Sequence, residues 1–211
     1  MATNSDMIVY YFWTISDWAY FGGERLEELA QQNGVTIDYR PIDLPKVYAR
    51  TGGILLGQRS KQRQDYRIAE LKRWKARLGM PLNIEPKYFP VDQDPSSRLI
   101  VAAKQAGLPL GPLTNAIMRG MWANERNIAD ETTLKEIASP LVPDVETLMT
   151  LSKTPQVQAE YERYTEQAPS DGVFGSPFYL YDGEVFWGQD RLDFLAQAVQ
   201  RRTGSVNQTR T

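Results

Sequence analysis

The spacing of apolar residues changes twice within the first forty positions. Met7-Ile8-Val9-Tyr10-Tyr11-Phe12 is an unbroken apolar run rich in β-branched and aromatic residues, which predicts a strand buried on both faces and central in its sheet. After it, Leu26, Leu29 and Ala30 recur at helical spacing, between a capping residue at Ser16 or Asp17 and a stop at Asn33-Gly34. Residues 35–39 return to a strand pattern, so strand, helix, strand is complete by residue 40.

From Pro41 to about Ser152 the pattern is helical, punctuated by Pro and Gly. Lys61–Leu78 places Tyr66, Ala69, Leu71 and Trp74 along one side of a highly charged helix closed by Gly79. Asp94-Pro95 starts another helix, with Leu99, Ala102, Ala103 and Ala106 inward, and Leu113, Ile117 and Met121 form an i, i+4 stripe. Asp130 caps 131–138, and 143–151 adds a short helix. Thr154-Pro155 then opens a helix through Gln167. Phe178–Tyr181 and Glu184–Trp187 read as strands joined by the hairpin signal Asp182-Gly183, and 191–202 as a last helix with Leu192, Leu195, Ala196 and Val199 on its apolar side.

This order describes an α/β thioredoxin-like fold interrupted by an all-α insertion. The expected division is 7–40 with 154–202 as a discontinuous thioredoxin-like domain, 41–153 as the insertion, and 203–211 as a polar, disordered tail. A chain of 211 residues with 24 basic and 26 acidic side chains can bury a sizeable core and shows no charge bias toward nucleic acid or an anionic membrane. A small molecule or another protein is the expected partner. The first six residues lack a basic and then apolar leader pattern, and the expected location is cytoplasmic. The absence of Cys and His removes disulfides, nearly all transition-metal sites and any histidine base.

Ser16-Asp17-Trp18-Ala19 stands where a redox thioredoxin-type domain carries Cys-x-x-Cys. A helix N-terminus offers unpaired N–H groups and partial positive charge, which stabilise a thiolate. A chain without a thiol can use that property on a bound one. Ser16 serves as helix cap, and its hydroxyl can also donate to a thiolate held over the turn. Ser176-Pro177 precedes a strand, a common place for a proline that avoids a ladder N–H; the backbone of Ser176 could pair with an extended ligand. Gln189-Asp190 opens the last helix, where Asp is an expected first-turn residue and where a carboxylate beside free N–H groups can also hold an α-amino acid head group. Arg59, Lys61, Arg63 and Arg67 read as a solvated face, one of which could meet a ligand carboxylate. Trp18, Tyr20, Trp122 and Trp187 read as core or pocket wall.

The stretches 11–20, Gly175-Ser176-Pro177 and Trp187-Gly188-Gln189-Asp190-Arg191-Leu192-Asp193-Phe194 resemble the 2-hydroxychromene-2-carboxylate isomerases and the related kappa-class glutathione transferases. The likeness extends to Asp43-Leu44-Pro45, residues 70–74, Phe89-Pro90 and Asn127-Ile128-Ala129-Asp130. It implies a homodimer that binds glutathione as cofactor and acts on a small aromatic-degradation intermediate through the glutathione thiolate. By the same resemblance Ser16 is the catalytic serine, Ser176 and a cis-Pro177 pair with the cysteinyl backbone, and Gln189 and Asp190 hold the γ-glutamyl group; Trp18 is expected among the cofactor-binding residues. The other readings the residues leave open are a kappa-like transferase and a redox-inactive binding module. Two positions depart from the family pattern. Asp17 sets a negative charge beside the expected thiolate and opposes its formation, and Gly53 stands where relatives carry a glutathione-contacting asparagine.

Overall fold

The computed structural model describes residues 7–208, with side chains as far as Arg202. Strand β1 (Met7–Phe12) is buried at every position after Met7 and lies inside a four-stranded sheet of order β2-β1-β3-β4. β2 (Thr36–Pro41) runs parallel to β1, Met7 facing Thr36. The 17-residue helix α1 (Asp17–Asn33) supplies the crossover that a parallel pair requires. β3 (Phe178–Tyr181) runs antiparallel on the other side of β1, with Val9 opposite Leu180, and β4 (Glu184–Trp187) folds back on β3 as the sheet edge.

Local chemistry sets the ends of these elements. Ser16 caps α1, its Oγ accepting the Ala19 N–H at 3.2 Å, and Gly34 ends it in the left-handed conformation with φ 66°. The insertion comprises α2 (Leu44–Thr51), α3 (Lys61–Leu78), α4 (Asp94–Gln105), α5 (Leu110–Trp122), α6 (Glu131–Ala138) and α7 (Val145–Leu151). Its centre is apolar: Leu99, Ile100, Val101, Leu113, Ile117, Met121 and Trp122 are fully buried. Helix α8 (Pro155–Gln167) returns the chain to the sheet by packing on α4 and β2, and α9 (Leu192–Gln208) packs on α1 and β3. Asp130 caps α6 by accepting the Thr133 N–H at 2.8 Å. Asp130→Ala should therefore lower unfolding stability by about 1 kcal/mol, read from the urea midpoint at unchanged slope.

Three expectations are revised. Residues 44–51 form α2, unforeseen although Asp43 accepts the Lys46 N–H as its cap and Pro45 lies in its first turn. The side of α3 marked by Tyr66, Ala69, Leu71 and Trp74 is no continuous buried face: Leu71 alone is buried, and Tyr66 is 63% exposed. Six residues of the expected disordered tail, 203–208, continue α9, and 209–211 lie outside the described residues.

A polar cluster fixes the loop that leads into β3. The Tyr11 hydroxyl donates to Asp171 at 2.7 Å, and Arg40 donates to Tyr11 at 2.7 Å and to Asp38 at 2.8 Å. Lys104 from α4 completes it by pairing with Asp38 and donating to the Tyr164 hydroxyl at 2.8 Å. These bonds hold Asp171, and with it the segment through Pro177, against β1 and β2.

Candidate functional site

The turn after β1 and the entry to β3 are tied together at Ser176. The Trp13 N–H donates to Ser176 Oγ at 2.8 Å, and Ser16 Oγ approaches the Ser176 carbonyl at 3.5 Å. Both serines are buried, and the Ser176-Pro177 peptide is cis. The Pro177 carbonyl accepts the Gly188 N–H at 2.9 Å, which connects this junction to the start of α9. Gly188 has φ 102°, a region that side chains rarely adopt, and a Cβ there would stand 2.5 Å from Asp190 Oδ1. A glycine is needed for the carboxylate to fold back over the turn.

A cleft of about 390 Å³ runs past this junction. One bank consists of Ser176 and residues 187–191; the other consists of Trp18, Tyr48, Arg59, Tyr66, Glu70 and Trp74. The helical spacing 66, 70, 74 explains this face of α3: its side chains wall a cleft, Tyr66 standing exposed and Trp74 packing against the core from the wall. Of the residues expected at the site, Trp18, Ser176, Gln189 and Asp190 line this cleft, while Ser16 and Pro177 join it through the bonds above. Trp122 does not line it; fully buried, it packs 5.0 Å from Phe89, ring to ring.

Gln189 and Asp190 are not equivalent. Gln189 is 1% exposed, and Arg25 of α1 donates to its Oε1 at 2.6 Å and to its carbonyl at 3.2 Å. Its side-chain carbonyl is thus committed to α1, and the residue acts by fixing the turn. Asp190 keeps its side chain 41% exposed and pairs with Arg191 at 2.7 Å. It is the carboxylate of this pair that a ligand can reach.

Asp17 differs from its sequence reading. Its Oδ1 accepts the Trp18 N–H at 2.8 Å, and its Oδ2 forms an ion pair with Arg67 of α3, both side chains largely buried. Burial raises the Asp17 carboxyl above its usual range, while Arg67, the Trp18 N–H and Arg59 pull it down. The guanidinium of Arg67 also lies 5.5 Å from the Phe89 ring and 5.9 Å from that of Trp122. The basic segment 59–67 therefore divides: Arg59 walls the cleft, Arg67 balances Asp17, and Lys61 stays exposed in a pair with Asp65.

Gly53 has an equally local explanation. A Cβ at this position would meet the Tyr48 ring at 1.9 Å, so Tyr48 occupies the space that a side chain at 53 would need. Tyr48 lies in the cleft wall beside Arg59, and burial raises its phenol despite that cation. Sequence reasoning missed Tyr48, Tyr66, Glu70 and Trp74. The 66/70/74 spacing was the available signal.

The opposed charges in the cleft, Arg59 and Arg191 against Glu70 and Asp190, suit a zwitterionic, peptide-like ligand. Among the described residues no group of three or more His, Cys, Asp or Glu could hold a metal ion, and no helix is long and apolar enough to cross a membrane.

The sheet order, the cis-proline entering β3 and the helix N-terminus facing it define the class. The chain belongs to the DSBA-like thioredoxin domain family, whose model matches residues 7–200. More narrowly, it is a member of the 2-hydroxychromene-2-carboxylate isomerase family. It is 30% identical over 189 residues to 2-hydroxychromene-2-carboxylate isomerase of Sphingobium xenophagum, covering 89% of this chain and 95% of that one. The solved structure of a 2-hydroxychromene-2-carboxylate isomerase superposes with TM-score 0.77 at 27% identity, over 92% of this chain and 95% of that one. Glutathione s-transferase kappa 2 of Caenorhabditis elegans is 26% identical over 213 residues, covering 92% and 93% of the two chains.

Proposed function

We propose that this protein is a glutathione-dependent isomerase of the 2-hydroxychromene-2-carboxylate isomerase type, acting on an aromatic-degradation intermediate. The observation that carries this reading is the convergence of the Ser16 turn, the Ser176 backbone and Asp190 on one cleft whose charges match a zwitterionic peptide. The named isomerase relatives supply the reaction type, and the kappa transferase supports the cofactor.

Glutathione bound there supplies a thiolate nucleophile, which the chain itself cannot provide. The Ser16 hydroxyl donates a hydrogen bond at the α1 N-terminus, and the first-turn N–H groups add partial positive charge, so the anionic form of the sulfur is favoured. The Ser176 backbone orients the middle of the peptide in β-like fashion. Asp190 receives the α-ammonium group, while Gln189, clamped by Arg25, keeps the turn in place. The aromatic walls Trp18, Trp74 and Trp187 shield the reacting end from water.

The test is calorimetric titration with reduced glutathione followed by an isomerisation assay on 2-hydroxychromene-2-carboxylate. Saturable binding should weaken about tenfold in Asp190→Ala, the loss of one hydrogen-bonded charge pair. An absence of binding at millimolar glutathione would remove the cofactor from the proposal. Recovery of glutathione unchanged separates isomerisation from conjugation, in which the thiol leaves as a stable product. The assembly we assign is a homodimer in the cytoplasm; Val185 and Trp187 of the edge strand β4 and Phe194 of α9 are more than half exposed, a surface suited to a second copy. Light scattering at twice the chain mass is the expected result.

A further inference from the structure

We propose that Arg67 is a positioning residue of this site: by pairing with Asp17 it cancels the one carboxylate set beside the Ser16 turn, and so lets a bound thiol ionise there. The proposal rests on the glutathione reading above and deepens it.

Asp17 lies in the first turn of α1, which puts its charge within a residue of Ser16. A buried carboxylate there would act on a thiolate as one acid acts on a neighbouring acid, each ionisation making the other harder. The groups facing Asp17 come from several elements. Arg67 of α3 forms the direct ion pair; Arg59, from the loop before α3, also acts on it; Tyr48 of α2 lies within electrostatic reach; and α1 contributes the Trp18 N–H. Arg67 alone among them makes the ion pair with the carboxylate, and it is held in place on its other sides. Its side chain is 11% exposed, and its guanidinium lies over both Phe89 and Trp122. A cation fixed in this way keeps its charge at a constant position, unlike an exposed lysine on a flexible stem.

Charge at the turn is therefore set by a residue of the insertion. With the pair intact, Asp17 and Arg67 sum to zero, and the helix N-terminus with the Ser16 donor decides the thiol's ionisation. Without Arg67, Asp17 stays charged as the thiol ionises; the two acids then titrate as a coupled pair, and the thiol, the weaker acid, is the one pushed upward. The proton released on ionisation passes to solvent.

The readout is the thiolate ultraviolet absorbance of reduced glutathione bound to the full chain, followed against pH, with binding checked by calorimetry. Arg67→Met should raise the midpoint by about one pH unit, and Asp17→Asn, which leaves Arg67 unopposed, should lower it by a similar amount. Asp17→Asn with Arg67→Met should return it to within a few tenths of the wild-type value, an interaction that a purely packing role for Arg67 would not produce. Arg67→Lys, which keeps the charge, should stay near wild type. Should Arg67→Met fail to fold, Asp17→Asn and Arg67→Lys carry the test. Unchanged midpoints in the Arg67→Met and Asp17→Asn proteins, with glutathione still bound, overturn the proposal and leave the cofactor reading standing; a wild type that does not bind glutathione overturns both.

Discussion

Ser16→Ala should reduce isomerase kcat/KM about a hundredfold, equivalent to ~2.7 kcal/mol of transition-state stabilisation, while lowering unfolding stability by about 1 kcal/mol. The two effects have different origins. Loss of the bond that the hydroxyl accepts from Ala19 N–H weakens the start of α1, whereas loss of the donor at the turn leaves the thiolate with helix N–H groups alone. Ser16→Thr separates them, because it keeps both a cap and a donor. Activity near wild type in Ser16→Thr and a hundredfold loss in Ser16→Ala fit the catalytic assignment. A loss of stability with turnover untouched would reduce Ser16 to a cap. Neither substitution should greatly change the affinity for glutathione, since in the proposed mode Ser176 and Asp190 hold the peptide elsewhere.

The largest effect on stability belongs to Trp122→Ala, expected to lower the free energy of unfolding by about 3–5 kcal/mol in a guanidinium titration. Trp122 is fully buried at the end of α5, its ring 5.0 Å from Phe89 and 5.9 Å from the Arg67 guanidinium. Its backbone carbonyl accepts the Asn83 N–H at 2.7 Å, which fastens the loop after α3 to α5. Truncation opens a cavity under Arg67 and removes the aromatic surface on which that cation rests. Trp122→Phe, which keeps an apolar ring, should cost markedly less. A loss below about 1 kcal/mol in Trp122→Ala would show that the surrounding helices collapse into the space, contrary to the close packing of α4 and α5.

The strands and most helix ends were legible because their causes are local. An apolar run gave β1, Ser16, Asp130 and Thr154 gave caps, and Asp182-Gly183 gave the hairpin of β3 and β4. α2 went unseen even though Asp43 and Pro45 are start signals, because its eight residues bury only Leu44 and Val47 and so show little apolar rhythm. On α3 the aromatic residues were read only as one side of a charged helix, since apolarity alone does not distinguish a core from the wall of a cleft. The site separates along the same line. Ser16, Ser176 and Asp190 could be named from short motifs and a family likeness. The pairing of Asp17 with Arg67, fifty positions apart, the clamp of Arg25 on Gln189 and the filling of the Gly53 space by Tyr48 are tertiary relations with no periodic trace in the chain.

The antiparallel register of Val9 with Leu180 places the whole insertion between the two central strands of one sheet. During synthesis β1, α1 and β2 emerge first and can form the parallel pair, but one side of β1 has no partner until the last part of the chain has been made. Helices α4 to α7 of the insertion pack on one another and α5 packs on α1, so this part can begin to assemble in that interval. The Ser16 turn meets Ser176 and Asp190 only when β3 docks. A chain that stops short of residue 191 therefore lacks one bank of the cleft, and the completeness of the site reports the docking of β3.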